Sequence, residues 1–125
     1  MNRIIFSHLW DKLHEPEFTT IRPWKADKER YYRNLVSEEF QIWKAGESYP
    51  FRPEYVLCHA FLEDVVTIDP RDISQELLRK DVTLDGQIQD TWIKRLMKHD
   101  MVLILKFSKH RKGQQILTAM EASEK

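Results

Sequence analysis

Thr20 and Arg22 stand two positions apart in the run Phe18-Thr19-Thr20-Ile21-Arg22. Its β-branched and aromatic residues predict a strand that stops at Pro23. Alternation along a strand places Thr20 on the same face as Arg22 and Thr19 on the other. The planar guanidinium of Arg22 suits a phosphate or the edge of a base; equally, it could brace a cleft by pairing with Glu15, Glu17 or another acid. Trp24, Lys25, Lys28, Arg30, Tyr31 and Tyr32 follow directly. Rings that stack on bases, interleaved with cations that neutralise phosphates, are what contact with single-stranded nucleic acid requires. Lys12 adds a further cation upstream, and Trp24 or Tyr31 is the candidate stacking ring.

Other chemistries find less support. His8, His14, His59, His99 and His110 show no paired metal-ligand spacing, and His14-Glu15 lacks the second His of a zinc-protease helix. No metal and no cofactor are expected. Three scattered glycines cannot build a phosphate-binding loop. Cys58 and His59 are neighbours on an apolar strand and point to opposite faces, which reads as packing rather than a nucleophile and its base. Glu63, Asp64 and Asp69 lie near a strand end with no spacing that defines an acid–base pair, so no catalytic residue is assigned.

Twenty Lys and Arg against twenty Asp and Glu leave the 125-residue chain formally neutral, so no global field draws it to a polyanion. The charge is distributed unevenly. Residues 22–33 and 94–112 are basic, and residues 63–90 between them are acidic. No apolar run approaches the ~20 residues that span a bilayer, and a single cysteine fits a reducing compartment. A cytoplasmic protein with no membrane partner is the expectation; the oligomeric state stays open.

The elements that must position these residues follow from pattern. Residues 3–6 predict a first strand. Ser7 is placed to cap a short helix carrying Leu9 and Leu13, ended by Pro16. Residues 27–35 predict a helical turn or ordered loop, residues 40–44 a strand, and residues 46–53, with Pro50 and Pro53, a loop. Residues 55–68 predict one long strand, interrupted near Glu63-Asp64. Asp72-Ile73-Ser74-Gln75 resembles a capping box that opens a helix. Ile88, Trp92 and Leu96 recur every four residues, predicting a second helix after Asp85. Lys94, Arg95 and Lys98 then sit at its C-terminal end, where the helix dipole accounts for them. Residues 101–107 predict a closing strand, and residues 114–122 a terminal helix. Trp43 and Trp92 are assigned to the core. The fold class is α+β, a small β-barrel with flanking helices.

The order of strand, short helix, Thr-Thr-Ile-Arg strand, helix pair and closing strand resembles the ASCH branch of the PUA-like superfamily. Residues 9–22, 40–66 and 73–107 carry the resemblance, which is close in letters at Thr19-Thr20-Ile21-Arg22 alone. It implies a PUA-like pseudo-barrel over residues 1–108, with residues 109–125 as a basic and then helical tail. It also implies a cleft beside the motif strand that binds RNA, or single-stranded DNA, through Lys12, Thr20, Arg22, Trp24, Lys25, Lys28, Arg30 and Tyr31. Related amidohydrolases of acetylated nucleosides carry a Lys three residues before the Thr that matches Thr20. Glu17 stands there in this chain, with the opposite charge, so binding is expected in preference to hydrolysis of a modified nucleoside or of RNA. A protein-interaction adapter working through the helix pair of residues 72–99 is the third alternative.

Overall fold

The computed structural model describes residues 2–44 and 56–110. Seven strands and three α-helices follow in order: β1 (Asn2–Phe6), β2 (Glu17–Pro23), α1 (Ala26–Arg33), β3 (Glu39–Lys44), β4 (Val56–Ile68), α2 (Gln75–Asp81), β5 (Thr83–Leu84), β6 (Gln87–Ile88), α3 (Asp90–Leu96) and β7 (Val102–Ser108). The architecture is α+β, built on a five-stranded sheet of order β1-β3-β4-β7-β2 with a separate hairpin of β5 and β6. Among the described residues, β1 and β3 are the one parallel pair. The expected barrel is not closed by backbone pairing: β1 and β2 are the two edges, and no ladder joins them among the described residues.

β7 runs between β4 and β2 and is buried at every position but Lys106. Its near-continuous apolar run, Val102 to Leu105 followed by Phe107, is what a strand covered on both faces demands. Leu103, Leu105 and Phe107 join Phe6, Phe18 and Phe40 in the larger core. Val102 and Ile104 point the other way, where Ile73, Leu78 and the partly buried Ile93, Leu96 and Met97 cover them. β4 keeps one phase with the larger core through a bulge between Leu62 and Asp64. The extra residue puts Val65 on the face already used by Ala60 and Leu62. The interruption expected at Glu63-Asp64 is thus a bulge inside one continuous strand.

α1 has no fully buried residue. It is held by Tyr32 stacking near Phe40, by Arg33 donating to the Val65 carbonyl at 3.1 Å, and by the Thr67 hydroxyl donating to Glu29.

Three local expectations change. Residues 9–13 form no α-helix: a four-residue 3-10 turn, Asp11–His14, stands there, and Ser7 contacts His8 instead of capping it. The segment is too short to repay helix nucleation. Asp11 is instead tied to the β5–β6 turn, accepting from the backbone N–H groups of Asp85 and Gly86 at 2.8 and 2.9 Å. The cap of α2 is Ser74, whose hydroxyl accepts from Leu77 N–H, while Asp72 ends a 3-10 turn begun by Pro70. Finally, Asp85-Gly86 makes a two-residue hairpin turn, with φ of 52° and 77°. Both values are positive, as the tight turn that matches strand twist requires. Ile88 therefore belongs to β6 and is exposed, and α3 begins at Asp90. The loop expected over residues 46–53 and the helix over 114–122 lie outside the described residues. Among the described residues, no helix is long and apolar enough to cross a membrane.

Candidate functional site

Although β1 and β2 are opposite edges of the sheet, Arg22 spans the seam between them. Its Nη2 donates to the Ile5 carbonyl of β1 at 3.0 Å, and its Nε donates to Thr20 Oγ1 at 3.1 Å. The guanidinium lies 5.0 Å from the centre of the Phe6 ring, which meets Phe18 of β2 edge to face. Glu15 and Glu17 are not its partners. Thr20 is buried on the same strand face, as alternation requires, and its hydroxyl orients the arginine.

Along this seam lies a cleft of about 280 Å³, close to the lower end of the ~300–1,000 Å³ common for small-molecule sites. Its floor holds an ion pair, Lys12 Nζ to Asp81 Oδ1 at 2.5 Å, with both side chains under 10% exposed (3% and 7%). Lys12 comes from the 3-10 turn before β2 and Asp81 from the last residue of α2. The Lys12 ammonium also sits 5.3 Å from the Phe6 ring centre. Trp10 and Trp92 form a wall, edge to face at 5.5 Å. Arg95 and His99 line the cleft on the α3 side, and Pro23 on the β2 side.

Burial governs the electrostatics of the floor. It lowers the pKa of Lys12, against the charge and hydrogen bond of Asp81, and nearby Arg22 pushes the same way. It raises the Asp81 carboxyl, against the pull of Lys12 and Arg22. Burial thus disfavours the charged form of both partners, and their contact opposes it in each. Burial likewise lowers Arg22, opposed by Tyr32 and Asp81.

Of the residues singled out from sequence, Lys12, Thr20 and Arg22 come together in this cleft. Trp24, Lys25, Lys28, Arg30 and Tyr31 do not line it; they are exposed where β2 ends and along α1. Trp24 donates its indole N–H to Glu29 at 3.2 Å, and Lys25 precedes the first turn of the helix. Glu17 is on the opposite face of β2 from Thr20, beside Glu63, Asp64 and Lys106. The lysine that shares the cleft with Thr20 is Lys12.

Asp81, Trp10, Arg95 and His99 are the cleft residues that sequence reasoning passed over. A signal for α3 existed: Trp92, Arg95 and Leu96 follow i, i+3, i+4 spacing and so share one helix face, and His99 stands three residues beyond the helix end. Arg95 lies 5.1 Å from the Trp92 ring centre, which gives it a role beyond the helix-end explanation that suffices for Lys94 and Lys98. Trp43 is buried as expected, whereas Trp92 is half-buried and faces the cleft as well as the core. Among the described residues, no group of three His, Cys, Asp or Glu is arranged to hold a metal ion. Compared with known proteins, the chain matches no family model, no curated protein and no solved structure.

Proposed function

We propose that this chain is an RNA-binding module that takes one unpaired nucleotide into the cleft beside Thr20 and Arg22. The observation that carries the reading is convergence. Lys12, Asp81, Thr20 and Arg22 arrive from three separate elements and meet under aromatic walls in one concave site. Aromatic walls give a base its stacking surface, and buried donors and acceptors give its edge hydrogen bonds. An RNA chain leaving the cleft over Pro23 meets Trp24 and then Lys25, Lys28, Arg30 and Tyr31, which supply stacking and phosphate neutralisation. Single-stranded DNA offers the same rings and phosphates and is the weaker ligand of this reading. The resemblance of Thr19-Thr20-Ile21-Arg22 to the ASCH motif supports it, and so does the place of Arg22, which bridges the two edge strands beside the cleft.

The test is fluorescence anisotropy with labelled oligoribonucleotides and their DNA counterparts. Saturable binding to RNA that is weakened at least ten-fold by Arg22→Gln supports the reading. Equal binding by both proteins sinks it.

One observation favours a second reading, hydrolysis of an amide on a modified nucleoside. The lysine missing at position 17 has a counterpart in Lys12, whose pKa is lowered and which shares the cleft with the Thr20 hydroxyl. Turnover of N-acetylcytidine that is lost in Thr20→Ala would establish it. No turnover above background would leave binding as the function.

A further inference from the structure

The cleft is graded in charge from floor to rim. At the floor, Lys12 and Asp81 cancel each other. Lys12 Nζ donates one of its three N–H groups in a hydrogen bond to Asp81 Oδ1, and Asp81 Oδ2 accepts from no side-chain donor among the described residues. Such a floor has spare donors and a spare acceptor, but no net charge. It fits the edge of a neutral polar heterocycle. A further charge brought there would bear the desolvation cost of a buried ion without a partner.

The rim is the reverse. Among the described residues Asp81 is the one carboxylate lining the cleft, so once it is matched to Lys12 the remaining cations among them are Arg22 and Arg95. Arg22 is already engaged with Thr20 and Ile5. Arg95 is not: it is exposed, and among the described residues no carboxylate pairs with it. Its guanidinium is instead held over the Trp92 ring, which fixes its place at the mouth without using its hydrogen-bond donors. His99, one turn further along the chain, lines the same mouth. An oriented arginine with free donors at the lip of an aromatic cleft is suited to bidentate capture of a phosphate.

We propose that Arg95 and His99 form a phosphate clasp, so that the cleft takes a nucleoside phosphate with the base at the Lys12–Asp81 floor and the phosphate at the rim. This rests on the nucleotide reading above and adds the orientation of the ligand and the residues that select for its phosphate. The phosphate is either the terminal group of a mononucleotide or a bridging group of an RNA chain.

Isothermal titration calorimetry on the full chain separates the possibilities, using the four ribonucleosides, their 5′- and 3′-monophosphates, and dinucleotides lacking a terminal phosphate. At least one monophosphate is expected to bind about ten-fold more tightly than its nucleoside. Arg95→Gln is expected to erase that advantage while leaving nucleoside affinity unchanged, which also shows that the variant is folded. Lys94→Gln, off the cleft on the same helix, is expected to change neither. A dinucleotide that loses affinity in Arg95→Gln assigns the clasp to the RNA chain; a loss confined to monophosphates assigns it to a terminal phosphate. Equal binding of nucleosides and monophosphates, or an advantage that survives Arg95→Gln, overturns the clasp and leaves the base-binding cleft standing. Binding by none of these ligands overturns the clasp together with the nucleotide reading.

Discussion

Lys12 lies 4% exposed at the floor of the cleft, while Lys28 stands in solvent on α1. Both are cations of the amino-terminal third of the chain, and both were legible as candidates, yet the fold uses them differently. The cluster on α1 is contiguous in sequence and open in space, so its cations keep their hydration and reach only what comes to the surface. The cleft is assembled from β1, the 3-10 turn, β2, α2 and α3, and the charges at its floor have lost water and gained fixed partners. A sequence cluster can attract a polyanion, but only the assembled site can discriminate among ligands.

The largest effect that sharpens this contrast is on stability. Lys12→Ala leaves Asp81 buried without its partner, and we expect a loss of about 3–5 kcal/mol in urea unfolding. The double variant Lys12→Met/Asp81→Leu removes both charges at similar volume and is expected to recover most of that loss, yet to lose the cleft's share of RNA affinity, at least about ten-fold. Lys28→Ala is expected to stay within ~0.5 kcal/mol of the parent protein. If Lys12→Ala unfolds no more easily than Lys28→Ala, the two regions do not differ as described.

Next in size is stacking. Replacing Trp24 or Tyr31 by Ala is expected to cost ~1–3 kcal/mol of RNA affinity if that ring stacks on a base, with no change in nucleoside binding, because neither ring lines the cleft. Smaller still is the electrostatic share of α1. Neutralising Lys25, Lys28 and Arg30 to Gln together is expected to flatten the log–log salt slope of RNA binding by about 2, at ~0.7 per single-strand contact. An unchanged slope would show that the RNA never meets α1.

The smallest effect concerns how α1 is anchored. Glu29 accepts from the Thr67 hydroxyl and the Trp24 indole, and these bonds, chiefly the first, lower its pKa. A carboxylate with a depressed folded pKa stabilises the fold above its ordinary value near 4.5, and that contribution is lost as the pH falls through the lowered folded value. The Trp24 indole N–H resonance should therefore shift on acidification in the parent protein, and Glu29→Gln should abolish that shift. The group is partly exposed, so the effect on global stability is slight and screened by salt.

What could be read from sequence, and what could not, follows the range of each interaction. Thr20 and Arg22 were paired correctly because strand alternation is a two-residue rule. The β4 strand and the central β7 strand were legible because long β-branched runs have no competing reading. The hairpin of β5 and β6 was hidden because Ile88, Trp92 and Leu96 fall on a helical period by coincidence, although Asp85-Gly86 carried the turn signal. Lys12 and Asp81 are 69 positions apart, and no local rule links two such residues. The site is therefore half visible: its strand can be read, and its floor depends on the packing of α2 against the turn before β2.

The most direct measurement is side-chain NMR on ¹⁵N-labelled protein titrated with a short single-stranded RNA. Entry of a base into the cleft should perturb the Arg22 Nε–H and the Trp10 and Trp92 indole N–H signals at the lowest RNA ratios. Perturbations confined to Trp24 and the backbone amides of residues 25–31, with the Arg22, Trp10 and Trp92 signals unmoved, would contradict it.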